Sequence, residues 1–266
     1  MSSVDDLLGF LASQQARQAP VFPQLRVDKV VTFMGTTSVA ASHVAVGVRR
    51  LTKITATEDG KGLAVLLEGP LPRLPEKGEC VTVSLANFAS FKGYQAKTFN
   101  LLHADRLATV VEQRSVGESL LHCRLVYTIH GSPYVLSSLE KVPFAEVLDV
   151  ARAQKHVVVA VGTQANLSPR FTFHHEARGN QVLLYQGEGY AHKTHVNLQT
   201  NKAESRLVVD LETFKGYSLR GQIEELEPTN HPEAYEKVCK GFEAGGWGKP
   251  TRFYRHVAQS WEKIAP

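Results

Sequence analysis

Along much of the chain, apolar and polar positions alternate in short runs. The clearest are "GLAVLLEG" (62–69), "CVTVSLANF" (80–88), "LHCRLVYTI" (121–129), "PRFTFHH" (169–175), "QVLLYQGEG" (181–189) and "SRLVVDLETF" (205–214). Each is rich in Val, Leu, Tyr, Phe or Thr and bounded by Gly, Pro, Asn or Asp, the pattern of strands separated by turns. A helical period shows in two places. In "PFAEVLDVARAQ" (143–154), Phe144, Val147, Leu148 and Ala151 fall on one face behind Pro143, which suits a first helical position. In "VDDLLGFLASQQARQ" (4–18), Leu7, Phe10 and Leu11 are similarly spaced, with Asp5 and Asp6 in the first turn, where the helix dipole favours acids. Many short strands and few helices predict a mainly β (α+β) fold, a barrel or sandwich, rather than a parallel α/β sheet.

The same order of elements occurs twice. "VVTFMGTTS" (30–38) and "VVVAVGTQA" (157–165) are apolar β-rich runs ending in Gly-Thr, and each follows one of the helical stretches. "SFKGYQAKT" (90–98) and "TFKGYSLRG" (213–221) share Phe-Lys-Gly-Tyr; Gly35 precedes Phe91 by 56 positions and Gly162 precedes Phe214 by 52. This agreement reads as two copies of one domain, with a boundary near 138–145. The copies differ between their third strand and the Phe-Lys-Gly-Tyr strand. The second has the polar, helix-compatible "YAHKTHVNLQTNKAES" (190–205), whereas the first has "PLPRLPEKGE" (70–79), whose prolines forbid a helix. A ligand-binding role for that segment would belong to the second copy alone.

Composition changes this picture little. The chain has 266 residues, 43% hydrophobic and 21% charged, enough for two compact domains. Its 30 basic and 26 acidic residues are interspersed, so the net charge of +4 forms no nucleic-acid stripe. No apolar run is long enough for a bilayer, and the acidic start lacks the basic charge of a signal peptide, so a cytoplasmic location is expected. Cys80, Cys123 and Cys239 are too scattered for a zinc knuckle or a disulfide framework and read as free, buried thiols. No P-loop, metalloprotease pair, dinucleotide fingerprint or nucleophile elbow is present. Chemistry borrowed from a bound cofactor is the remaining expectation.

From about 143 to 224 the second half resembles the flavin-binding split barrel of the pyridoxamine 5′-phosphate oxidase-like superfamily. The resemblance rests on the order of "FAEVLDVARAQKH", "VVVAVGTQANLSPRFTF", "NQVLLYQGEGYAHK" and "THVNLQTNKAESRLVVDLETFKGYSLRG". It departs from the family in that Lys193 stands four rather than three residues before Asn197, and Lys202 replaces a proline. Residues 28–100 share the frame more faintly. The resemblance implies two split β-barrels in tandem: a degenerate domain over 1–140, and a domain over 141–266 with a C-terminal extension. Together they would form an intrachain pseudo-dimer with FMN at its seam, leaving further pairing into a homodimer open. It also implies an oxidoreductase that moves hydride to or from a small-molecule substrate.

The candidate site residues follow. A flavin phosphate needs cations and backbone N–H groups, best supplied near a helix start. Lys193 is the first candidate, with Thr194 as a hydroxyl donor and Asn197 and Asn201 one turn apart; an exposed connector is the plainer alternative. Lys215 and Arg220 flank the Phe-Lys-Gly-Tyr strand, and the resemblance places a basic residue there near the phosphate or the ring edge. Gly216 and Tyr217 read as scaffold, because they persist in the copy without the phosphate segment. In "NLSPRFTFHH", Arg170 would face an anionic substrate or phosphate and His174 the reacting atoms. His174 and His175 alternate across a strand, so no shared metal is expected. His43, Arg49 and Arg50 are candidates for a second wall. Haem is the alternative cofactor, with His174, His192, His195 or His256 as axial ligand. A non-catalytic module that binds a cofactor or partner is the third possibility. The C-terminal "GFEAGGWGKPTRFYRHVAQSW" (241–261) reads either as a flap or as a packing segment that buries Trp247 and Trp261.

Overall fold

The computed structural model describes residues 3–18, 30–58, 62–87, 92–98, 111–113, 117–130, 135–137, 145, 148, 155–170, 172–189, 192–210, 213–244 and 246–264. These are mostly β, with few helices. They form two compact units, Val44–Leu167 and a split unit made of Met1–His43 with Ser168–Ala265, so the grouping does not follow a cut at 140.

The continuous unit contains β2 (Ala45–Ala56), β3 (Leu63–Glu68), β4 (Cys80–Asn87), β5 (Lys92–Thr98), β6 (Val111–Gln113), β7 (Glu118–His130), β8 (Val135–Ser137) and β9 (His156–Gly162). The antiparallel pairings run β2, β3, β7, β5, β4, β9 and back to β2, a closed six-stranded barrel with no free edge. Its core follows the period of two: Leu63, Val65 and Leu67 of β3, Val81, Val83 and Leu85 of β4, and Val157, Val159 and Val161 of β9 are all inside. Cys123 is also in this core, and burial pushes its thiol pKa well up, so it is inert. All three cysteines are free, but Cys80 and Cys239 are only half-buried. The helix expected over 143–154 lies largely outside the described residues; Leu148 packs against the barrel core.

The split unit opens with α1 (Val4–Gln18), followed by β1 (Val30–Thr36). Ser3 and Asp6 cap α1 reciprocally, each backbone N–H donating to the other side chain at 3.1 Å. After residue 167 come the rest of β10 (Asn166–Arg170), then β11 (His174–Arg178), β12 (Gln181–Glu188), α2 (His192–Thr200), β13 (Ala203–Asp210), β14 (Gly216–Glu225), α3 (Pro232–Ala244) and β15 (Arg252–Ile264). The sheet order is β10, β1, β13, β14, β15, β12, β11. Leu7 and Leu11 of α1 cover one face, with Val182, Leu184, Val208, Tyr217 and Leu219. On the opposite face Ala234, Val238 and Phe242 of α3 pack on Leu183, Tyr185 and Phe253. No helix among the described residues is long and apolar enough to cross a membrane.

Three elements depart from the sequence expectation. The run 169–175 is not one strand: pairing stops after Arg170 and resumes at His174. β2 runs for 12 residues, with a register shift against β3 between Leu51 and Lys53, although its polar inserts hide it. The segment 241–261 is not a flap, because β15 lies between β12 and β14 as a central strand, with Trp247 and Trp261 partly buried against the two faces.

The repeated tetrapeptide is structural. Tyr94 and Tyr217 are core side chains, 1% and 4% exposed. A Cβ on Gly216 would sit 1.9 Å from the Val208 carbonyl oxygen of the paired strand. Gly216→Ala must therefore push β14 off β13, and we expect a loss of about 3 kcal/mol, read as a lower urea midpoint. An unchanged midpoint would contradict this close approach.

Candidate functional site

The site is assembled where β10, the end of β12 and the start of α2 meet. Thr194, in the first turn of α2, is 2% exposed. Its Oγ1 accepts from Arg170 Nη2 at 3.2 Å and shares a hydrogen bond with Ser168 Oγ at 3.0 Å. Arg170 also donates from Nη1 to the Pro169 carbonyl at 2.7 Å and pairs through Nη2 with Glu188 Oε2 at 2.9 Å. The guanidinium and carboxylate are 12% and 7% exposed, so this is a largely desolvated pair. Arg170 Nε is buried with no partner among the described residues. A second contact adjoins: the Tyr254 hydroxyl and His195 Nδ1 are 3.0 Å apart, and burial pushes the Tyr254 pKa upward.

The remaining candidates distribute as follows. Lys193 is half-buried in the first turn of α2. Asn197 and Asn201 are buried and engaged by protein groups: Asn197 Nδ2 donates to Thr36 Oγ1 at 3.0 Å, Asn201 Nδ2 to the Ser42 carbonyl at 2.8 Å, and Asn201 Oδ1 accepts from Ala203 N at 3.0 Å. Lys215 and Arg220 are both exposed; Lys215 stands just before β14 and Arg220 at its middle. Arg220 is level with Ser205 and Gly35, at the Thr36 end of the sheet; Lys215 precedes the strand and its carbonyl accepts from Asp210 N at the other end.

His174 is not brought to Arg170. It stacks on Tyr185 at 5.4 Å, on the α3 face of the sheet, whereas Glu188, which holds Arg170, alternates onto the Leu184 face. Burial foremost, with Lys237 adding to it, lowers the His174 pKa. His175 lies opposite Leu184, so the two histidines do point to different faces. His43 Nε2 is 3.4 Å from the Gly221 carbonyl. Arg49 donates to the Pro70 and Val48 carbonyls, and Arg50 pairs with Glu68 at 3.2 Å.

One cluster had no sequence signal. Glu204, Arg206 and His256 are each 0% exposed. Arg206 donates from Nε to Glu204 Oε1 at 2.5 Å and from Nη2 to Oε2 at 3.3 Å, while His256 Nδ1 donates to Oε2 at 3.1 Å. Glu204 and His256 sit two strands apart and meet over Gly221, where a Cβ would strike the Val257 carbonyl at 2.0 Å. Burial alone would raise the Glu204 pKa, but the charge of Arg206 and the hydrogen bonds from His256 and Arg206 outweigh it and hold it at about 2. Burial first, opposed by Glu204 and reinforced by Arg206, lowers the pKa of His256. His256 therefore favours the neutral form, with Nδ1 on Glu204 and Nε2 buried with no partner among the described residues. Among the described residues no group of His, Cys, Asp and Glu is placed to hold a metal ion.

Comparison with known proteins finds limited likeness. No family model and no curated protein matches the chain. Among solved structures, HupZ of Group A Streptococcus is similar at 20% identity, over 39% of this chain and 77% of that one, with a TM-score of 0.31. A Clostridium acetobutylicum protein related to general stress protein 26 of B. subtilis, of the pyridoxinephosphate oxidase family, is similar at 17% identity over 39% and 72% of the two chains, with a TM-score of 0.30.

Proposed function

We propose that the split unit binds flavin mononucleotide by its phosphate at the start of α2 and works as a flavin-dependent oxidoreductase on a small molecule. The observation that carries this is the buried Arg170 guanidinium, whose Nε is unpartnered beside the Ser168 and Thr194 hydroxyls. A cation, two hydroxyls and the N–H groups of a helix start are the donor set a phosphate dianion requires. Lys193 adds a second positive charge in the same turn. Glu188 holds the guanidinium in place and offsets part of its charge, so a phosphate shares Arg170 with that carboxylate. When bound, the flavin supplies hydride acceptance. The chain's part is to anchor the phosphate and fix the cofactor's orientation.

The reading also treats the chain as two copies of one barrel. In the continuous unit the order is β2, β3, β7, β5, β4, β9; in the split unit β10 with β11, then β12, β15, β14, β13, β1 follow the same order. The Phe-Lys-Gly-Tyr strands, β5 and β14, take the same place, as do the Gly-Thr strands, β9 and β1. Only the split unit has a helix between its third strand and the next. In the continuous unit Pro72 occupies that segment, 2.8 Å from where a Cβ on Gly47 would be, and the Pro70 carbonyl takes Arg49. One flavin per chain is therefore expected, and titration of the apoprotein with FMN, followed by flavin fluorescence, tests it.

A further inference from the structure

The two Gly-Thr strands have changed places. β1 is followed in sequence by β2, yet it pairs with β10 and β13; β9 is followed by β10, yet it pairs with β2 and β4. Leu7 and Leu11 of α1 lie in the split unit's core with β1, and Leu148, ahead of β9, packs on the continuous unit's core. In a pair of copies this is a reciprocal exchange of the first strand. Both strands are buried along their length, from Thr32 to Thr36 and from Val157 to Gly162, and both lead into Gly-Thr, so each suits an interior place in a sheet.

The exchange brings the N-terminal segment against α2. Thr36, 0% exposed, is the acceptor for Asn197 Nδ2, and the Ser42 carbonyl is the acceptor for Asn201. Asn197 and Thr194 lie three residues apart, on one face of the helix. We infer that Thr36 is a positioning residue for the anion site: through Asn197 it fixes the depth and rotation of α2, and so the place of the Thr194 hydroxyl and the helix-start N–H groups, without touching the ligand. The inference rests on the phosphate-site reading and adds that a residue from the first 43 of the chain sets the geometry of a site in the second half.

Full-length Thr36→Val and Thr36→Ser test it, with FMN affinity and hydrogen exchange of the 194–200 amides as separate readouts. Val keeps the shape and removes the acceptor, leaving Asn197 Nδ2 buried without a partner. Thr36→Val is expected to raise the FMN dissociation constant about ten-fold and to speed exchange in α2. Thr36→Ser should stay within about two-fold of the wild type in affinity and show native exchange, because the hydroxyl is kept. Native exchange in α2 of Thr36→Val overturns the inference whatever the ligand result, and so does native affinity in that variant. Wild-type protein that binds no FMN overturns the ligand reading alone; the exchange comparison then still decides whether Thr36 fixes α2.

Discussion

Glu204→Gln is expected to destabilise the protein by about 3–5 kcal/mol, a large share of the roughly 5–15 kcal/mol that holds a domain folded. The substitution keeps the volume and removes the charge. Arg206, 0% exposed and bound to both Glu204 oxygens, would become an uncompensated buried cation. The cost lies in breaking the set rather than in any net strength of the intact one. The triple replacement Glu204→Met, Arg206→Met and His256→Leu should therefore recover most of the loss. Urea unfolding of the two variants beside the wild type reads both effects, and a fully stable Glu204→Gln protein would contradict the buried cluster.

The same cluster has an acid signature with a definite sign. Glu204 titrates near 2 when folded and near 4.5 when unfolded, so its contribution is complete above 4.5 and is lost as pH falls towards 2. His256 is depressed below 6.5, so its contribution is complete above 6.5 and declines as pH falls further, because the unfolded chain takes the proton more readily. His156, His174 and His175 are depressed as well and share that upper window. The segment below 4.5 is where Glu204→Gln should be flatter than the wild type.

The second large effect concerns Arg170. Arg170→Lys keeps a charge but loses the fork, and FMN affinity should fall about ten-fold. Arg170→Met alone would take the guanidinium from the Glu188 carboxylate, which is 5% exposed, so the informative variant is Arg170→Met with Glu188→Met. It should remain folded, by far-UV circular dichroism and urea midpoint, and bind both FMN and inorganic phosphate about 100-fold more weakly. A folded double variant with native affinity would move the phosphate site away from Arg170.

The sequence made the strands legible and left their partners unassigned. The apolar β-rich runs "VVTFMGT" and "HVVVAVG" mark two strands ending in Gly-Thr or glycine, and both form. An apolar run tells that a strand is buried, not which sheet receives it, so the pairing of β1 with β10 and β13, and of β9 with β2 and β4, has no signature in the pattern. α2 was legible because the segment from 190 to 205 has helix-compatible polar residues where the other half has prolines. Asn197 and Asn201 were visible as a one-turn pair, but their acceptors at Thr36 and Ser42 lie about 160 positions away. Glu204 falls in the polar, helix-compatible segment 190–205 and Arg206 in the run 205–214; β13 instead begins at Ala203, and Arg206 and His256 both hydrogen-bond the buried Glu204 carboxylate, which neighbours in sequence could not reveal. The break at 172–173 was missed because apolar alternation continues straight through it.

The central claim is a single flavin phosphate site in the split unit, and the most direct measurement is a titration of full-length apoprotein with FMN that follows fluorescence quenching to saturation and fixes the stoichiometry. The account predicts saturable binding of one FMN per chain, competed by inorganic phosphate and weakened about 100-fold in Arg170→Met with Glu188→Met. Absence of binding, or two equivalents per chain, would contradict it.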